Sequence, residues 1–194
     1  MRIVGGMWRG RRLFEPSGSD VTRPTTDRVR EAMASMVDSA LPEGIEGARV
    51  LDAFGGSGAL GIEVLSRGAA SATFFEADRR AAQLIRKNLD LVGAGAPQAR
   101  VVAGDVLAAA ERGRVPGGPF DLVLLDPPYA FGPEPVERLL EALAAAGTLA
   151  PGALALHEHA ARDAGARPEG FEVVREKRYG ITGVDLLRMV ATAG

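Results

Sequence analysis

Val50-Leu51-Asp52-Ala53-Phe54-Gly55-Gly56-Ser57-Gly58-Ala59-Leu60-Gly61 runs from an apolar strand through a glycine-rich turn into a helix. Glycines at such a turn let the main chain approach a ligand closely, and the helix start offers unpaired N–H groups. Outward from this stretch, short apolar runs recur at 48–51, 72–75, 100–103 and 120–125. Helical stretches are predicted near 58–67, 79–92, 105–112 and 133–146. Non-alternating strands separated by helices predict an α/β fold, with a parallel sheet covered on both faces. The tail differs. Strands are predicted at 153–157, 171–179 and 184–191, and the last two, joined around 180–183, predict an antiparallel hairpin at the sheet edge.

Ahead of the sheet, residues 1–24 are short apolar pieces broken by Gly, Pro and Ser, which predict a hairpin and then a loop. A helix is predicted from Thr25 or Thr26, with Val29, Met33, Met36, Val37 and Leu41 on its apolar face and Arg28, Arg30, Glu31 and Asp38 on the others. The expected division is a basic hairpin or arm over 1–24 and one α/β domain over 25–194. The 194 residues, 46% hydrophobic and 25% charged, suit an ordinary globular protein. The lack of cysteine excludes disulfides and thiolate metal sites. No apolar run approaches the roughly 20 residues of a membrane span, and the first residues lack the apolar stretch of a signal peptide, so a cytoplasmic protein is expected. The net charge of −2 hides an asymmetry. Seven arginines in residues 1–30 against Glu15, Asp20 and Asp27 give +4, so the remainder carries −6. An Arg-rich end on an acidic body predicts a local polyanion contact, with a solvated basic arm as the plain alternative.

Three acids follow strand ends. Gly56-Ser57-Gly58-Ala59-Leu60-Gly61 matches G-x-G-x-x-G, so the loop alone leaves both NAD and S-adenosylmethionine open. Asp52 would repel a pyrophosphate but suits the cationic amino group of a methionine moiety. Glu76 stands where an acid accepts both ribose hydroxyl hydrogens of an adenosine, in either cofactor class. Asp78 is expected to cap the next helix. Asp105 either caps its helix or, with the N–H of Val106, meets an adenine edge.

Leu124-Leu125-Asp126-Pro127-Pro128-Tyr129 follows the most apolar strand. Consecutive prolines make a rigid, extended exit at the carboxyl edge of the sheet. The amino nitrogen of a nucleobase is a poor nucleophile because its lone pair is delocalised into the ring. The Asp126 carboxylate and the Pro127 carbonyl could grip its two hydrogens and favour pyramidalisation. Tyr129 could stack on the ring, and such stacking is worth about 1–3 kcal/mol. The base would be extruded or already unpaired.

These four signals, in this order, resemble the class I S-adenosylmethionine-dependent methyltransferases with a [DNS]-P-P-[YFW] motif. Arg2-Ile3-Val4-Gly5-Gly6, Trp8-Arg9-Gly10-Arg11-Arg12-Leu13 and Arg23-Pro24-Thr25-Thr26-Asp27-Arg28-Val29-Arg30-Glu31 sharpen the resemblance to the RsmD family of bacterial 16S ribosomal RNA guanine-N2 methyltransferases. Gly58-Ala59-Leu60-Gly61, Ser66-Arg67-Gly68-Ala69 and Tyr179-Gly180 are similar to that family too. The resemblance implies a Rossmann-like, mostly parallel seven-stranded sheet with a C-terminal antiparallel hairpin and a small N-terminal β-hairpin extension. It implies S-adenosylmethionine held by Asp52, Phe54, Gly56, Ser57, Gly58, Glu76, Ala77, Asp105 and Val106, and a guanine held by Asp126, Pro127, Pro128 and Tyr129. It further implies 16S ribosomal RNA, free or in an assembling small subunit, touched by Arg9, Arg11, Arg12, Arg23 and Arg30, and a monomer without metal. Gly55 departs from the alanine usual in that family and is expected to loosen the loop. His157-Glu158-His159 offers two histidines on one strand face, but with no third ligand a solvent-facing strand end is expected. Adenine-N6 and release-factor glutamine methyltransferases share related motifs. An NAD-linked oxidoreductase would leave Asp126–Tyr129 without a task, and a non-catalytic ribosome-binding module would keep the fold alone.

Overall fold

The computed structural model describes residues 1–16, 26–128 and 131–190. Its elements run α1 (Asp27–Ala40), β1 (Arg49–Asp52), α2 (Ala59–Ser66), β2 (Ser71–Glu76), α3 (Arg79–Val92), β3 (Ala99–Ala103), α4 (Val106–Glu111), β4 (Phe120–Leu125), α5 (Glu134–Ala145), β5 (Leu149–Ala160), β6 (Phe171–Tyr179) and β7 (Thr182–Met189). The strands form one seven-stranded sheet in the order β3-β2-β1-β4-β5-β7-β6. The first five are parallel, and β7 pairs antiparallel with both β5 and β6.

The sheet has apolar residues on both faces because helices cover both. Val50, Phe74, Leu122, Leu124, Leu154 and Leu156 pack toward α1, α2 and α3, while Leu51, Phe75, Val123 and Leu125 pack toward α4 and α5. Helix starts follow the capping rule. The Thr26 hydroxyl accepts from Val29, and the Asp78 and Asp105 carboxylates each accept two N–H groups of α3 and α4.

β5 is longer than 153–157, running over Leu149–Ala160, because β7 pairs with it as far as Ala160↔Thr182. That pairing corrects the reading of His157-Glu158-His159 as a solvent-facing end. His157 and Glu158 are buried, and the rings of His157 and His159 lie 5.1 Å apart. Burial, then the neighbouring His159, lowers the His157 pKa to about 4, so the ring is neutral.

The N-terminal hairpin pairs Arg2 with Arg12. Its Ile3 and Leu13 enter the same apolar cluster as β1, β2 and α1. Arg23 and Tyr129, each assigned a contact from the sequence, lie outside the described residues.

Candidate active site

From β1 the chain winds outward through β2 to β3 on one side, while β4 and β5 lie on the other. The order reverses between β1 and β4, and open α/β sheets bind ligands at that point, outside the carboxyl ends of the strands. Asp52 ends β1, Glu76 ends β2, and Asp105 and Asp126 closely follow β3 and β4. All four acids selected from the sequence therefore lie along one edge, with Asp52 and Asp126 flanking the reversal.

The glycine turn is held by its neighbours. Gly55 donates to the Phe75 carbonyl at 2.8 Å, and Gly56 donates to Glu76 Oε2 at 2.8 Å. Glu76 Oε1 accepts the Asp78 N–H at 2.8 Å, so this carboxylate fixes both its own strand exit and the loop opposite. Gly56 has φ +54°, and a Cβ there would meet nothing within 4 Å, so the main chain is open to an approaching group. A methyl at Gly55 would enter the space taken by the tip of Ile85. The missing methyl is thus replaced from α3, and the loop keeps its bond to Phe75.

Asp52 is buried, and its Oδ2 accepts the Gly61 N–H at 3.1 Å. Burial, opposed by that bond and assisted by the charge of Glu76, pushes its carboxyl up to about 7. A cation placed beside it would restore the ionised form.

At the end of β4, Pro127 is buried and Pro128 exposed. The protein packed around Asp126, then the charges of Glu158 and Asp52, hold its carboxyl well above the ordinary carboxylate range. Water reaches its outward face, and the neighbouring carboxyl groups of Glu158 and Asp52 add to the rise. Phe131 donates its N–H to the Pro128 carbonyl at 2.8 Å, and its ring meets Phe54 edge-on at 6.2 Å between centroids. The two aromatic rings join the exit of β4 to the glycine turn.

The arginines divide. Arg9, Arg11 and Arg12 are exposed on the hairpin, Arg11 also donating to the Leu91 carbonyl at 3.0 Å. Arg30 is corrected: it is only 3% exposed and turns its guanidinium onto Asp27 and the Arg2 carbonyl. It fastens the hairpin to α1 and has no free face for a phosphate.

Three residues escaped the sequence reading. Asn88 on α3 is fully buried and bonds both the N–H and carbonyl of Phe14 and, at 2.8 Å, the Ser57 carbonyl of the glycine turn. Its signal was an amide inside the apolar stripe Ala82, Ile85, Leu89 and Val92. Glu63 and Ser66 on α2 accept the N–H groups of Val4 and Trp8. Among the described residues, no group of three or more His, Asp or Glu converges as a metal would need, and no helix is long and apolar enough to cross a membrane.

A family model described as Conserved hypothetical protein 95 matches residues 1–188. Ribosomal RNA small subunit methyltransferase D of Escherichia coli K12 is 43% identical over 132 residues, 68% of this chain and 62% of that relative, so the match spans less than two thirds of the relative's length. The protein of the same name from Haemophilus influenzae is 35% identical over 186 residues, 96% of this chain and 92% of its own. Among solved structures, a provisionally assigned methyltransferase from Escherichia coli matches with a TM-score of 0.82 and 36% identity over 99% of each chain. An rRNA methyltransferase from Streptomyces viridochromogenes, at 20% identity, TM-score 0.65 and 84% of each chain, shares the fold.

Proposed function

The chain belongs to the family described as Conserved hypothetical protein 95, and from that premise we propose that it methylates small-subunit ribosomal RNA with S-adenosylmethionine, at the exocyclic N2 amino group of a guanine. The observation that carries this reading is the placement of Asp52 and Asp126 on either side of the β1/β4 reversal, with the open Gly56 turn beside them. The relatives named for ribosomal RNA methylation supply the substrate class.

The residues present fit the cofactor. Asp52 would face the cationic amino group of its methionine end, Glu76 the ribose hydroxyls, and Asp105 with Val106 the adenine. When bound, S-adenosylmethionine supplies an electrophilic methyl on a sulfonium whose leaving group is a neutral thioether. The chain's own task is to prepare the nucleophile. Asp126 and the Pro127 carbonyl accept the two N2 hydrogens and draw the lone pair out of the ring. As the nitrogen–carbon bond forms, the nitrogen becomes cationic and must lose a proton. Asp126, ionised as it accepts the amino hydrogen, takes that proton and passes it to water, and a carboxyl held above the ordinary carboxylate range is the stronger base for it. The exposed arginines of the hairpin would hold the RNA backbone, in a monomer working in the cytoplasm.

The test uses ribosomal RNA from cells lacking this protein, the purified enzyme and labelled S-adenosylmethionine, with the digested nucleosides then separated. Label in N2-methylguanosine is expected; label in N6-methyladenosine, or none, overturns the reading. Asp126→Ala should lower turnover by about a hundredfold or more, with cofactor affinity within a few-fold of the parent. Collapse of cofactor binding would remove the role given to Asp126.

A further inference from the structure

β6 ends the sheet, and among the described residues no strand lies beyond it. Two antiparallel pairings, β5 with β7 and β7 with β6, point it the same way as β4. It therefore leaves the sheet at the edge that carries Asp52, Glu76 and Asp126. The register fixes the level. Lys177 is opposite Val184 and Val184 opposite Glu158, one position past the Leu125↔His157 pair. Lys177 is thus level with Asp126 and three strand spacings from it, about 14 Å at roughly 4.8 Å each.

Every residue from Glu172 to Arg178 is exposed, and the charges along that run do not cancel. Glu172 lies 3.9 Å from Arg188, and Glu176 is ion-paired with Arg167. Among the described residues, no ion pair engages Arg175, Lys177 or Arg178. The strand presents three uncommitted cations and no uncommitted acid. Residues alternate between faces, so Arg175 and Lys177 share the face of Leu186 and Val184, whose core cluster also takes in the N-terminal hairpin. Arg178 lies on the other face, and the cations straddle the free edge. The hairpin is fastened to α2 and α3, which cover β1, β2 and β3 on the far side of the β1/β4 reversal.

From this placement we infer that β6 is a second RNA-backbone surface: Arg175, Lys177 and Arg178 hold phosphates on one side of the target base, and the hairpin holds those on the other. The inference rests on the proposed methylation of ribosomal RNA. A polyanion whose base is drawn to an acidic edge meets repulsion there, and cations on both flanks offset it. At about 3.4 Å per stacked nucleotide, 14 Å is roughly four nucleotides, so the phosphates concerned lie within that distance of the guanine. The outer N–H groups of an unpaired edge strand are further phosphate donors. Cations on an edge strand also deter a second strand from adding to it, but that task does not require them to stand level with Asp126.

The test sets Arg175→Gln/Lys177→Gln/Arg178→Gln against a control, Arg100→Gln/Arg112→Gln/Arg114→Gln, which removes as many exposed cations from the amino-end side of the sheet. The probe is small-subunit ribosomal RNA from cells lacking this protein, bound over a series of salt concentrations. The β6 variant should bind it more weakly, with the log–log salt slope reduced by about 2, at about 0.7 per phosphate on a single strand. The control should keep the parent slope. Phosphate ethylation interference on the same RNA should show sensitive phosphates on both sides of the mapped guanine for the parent. The β6 variant should lose those on one side, and Arg9→Glu/Arg12→Glu those on the other. S-adenosylmethionine affinity equal to the parent's shows that the β6 variant is folded. An unchanged slope overturns the inference, as does a control that loses as much, or loss of the same phosphates in both variants. Self-association of the β6 variant with parent-like RNA binding overturns it too, and assigns the cations to guarding the edge. Absence of N2-methylguanosine from the parent's product would instead overturn the proposed function and leave the binding result standing.

Discussion

Asp52 is a buried acid at the end of an apolar strand, given the N–H groups of Gly61 and Phe54 and, among the described residues, no cation. Its folded carboxyl titrates near 7, against a reference of 3.8. The folded chain therefore binds more protons at this site than the unfolded chain between about pH 4 and 7, and stability falls as pH rises through that window. The loss is on the order of 2–4 kcal/mol. Asp52→Asn should flatten that slope in urea denaturation measured from pH 4.5 to 7. The same group should tie cofactor affinity to pH. Titration calorimetry from pH 5.5 to 7 should show tighter S-adenosylmethionine binding as pH rises, by up to about tenfold per unit, and little dependence in the variant. A flat parent profile would mean that Asp52 is already ionised without the cation.

The hairpin and α2 form the joint that places the arginines. Met7 donates to the Ser66 carbonyl at 2.7 Å, Trp8 to Ser66 Oγ at 2.9 Å, and Val4 to Glu63 Oε2 at 2.8 Å. Glu63 is also held by Arg67 Nε at 2.8 Å. Two glycines of the hairpin separate conformation from contact. Gly6 and Gly10 both have left-handed φ, +73° and +86°, but a Cβ at Gly6 would strike the Ser66 carbonyl, whereas one at Gly10 meets nothing within 4 Å. Gly10→Ala should cost only the conformational penalty, about 1–2 kcal/mol. Gly6→Ala should cost clearly more, about 3 kcal/mol or above, because backbone must move. Equal midpoint shifts in urea would mean that the hairpin is not seated on α2. The sequence located this hairpin and its turn glycines. The partner helix was not legible, because residues some 60 positions apart meet, and the hairpin's side of each bond is a main-chain N–H, which carries no residue signature.

At the scale of the whole molecule, two kinds of charged region bear on binding. Acids collect along the carboxyl edge of the sheet, while the exposed Arg9, Arg11 and Arg12 lie on the hairpin, in a chain of net charge −2. Under the proposed function, an acidic edge repels phosphates and admits a neutral base, which would leave the RNA backbone to the hairpin and β6. Arg9→Glu combined with Arg12→Glu should weaken RNA binding and reduce the log–log salt slope by about 0.7 for each phosphate no longer neutralised. S-adenosylmethionine affinity should stay as in the parent. An unaltered salt slope would leave the hairpin with a structural task alone.

The sequence by itself determined the parallel sheet, the glycine turn and the acids at the strand ends, because these depend on local apolar runs and on turn chemistry. Helix boundaries at Arg79–Val92 and strand boundaries at Phe120–Leu125 and Phe171–Tyr179 were legible for the same reason. Tertiary structure alone decided that Arg30 turns inward, that β5 continues through His157-Glu158-His159, and that Asn88 ties the glycine turn to the hairpin. Each of these depends on which distant strand or helix lies alongside. The identity of a neighbour across the sheet is set by the packing of the whole core and not by the residues next in the chain.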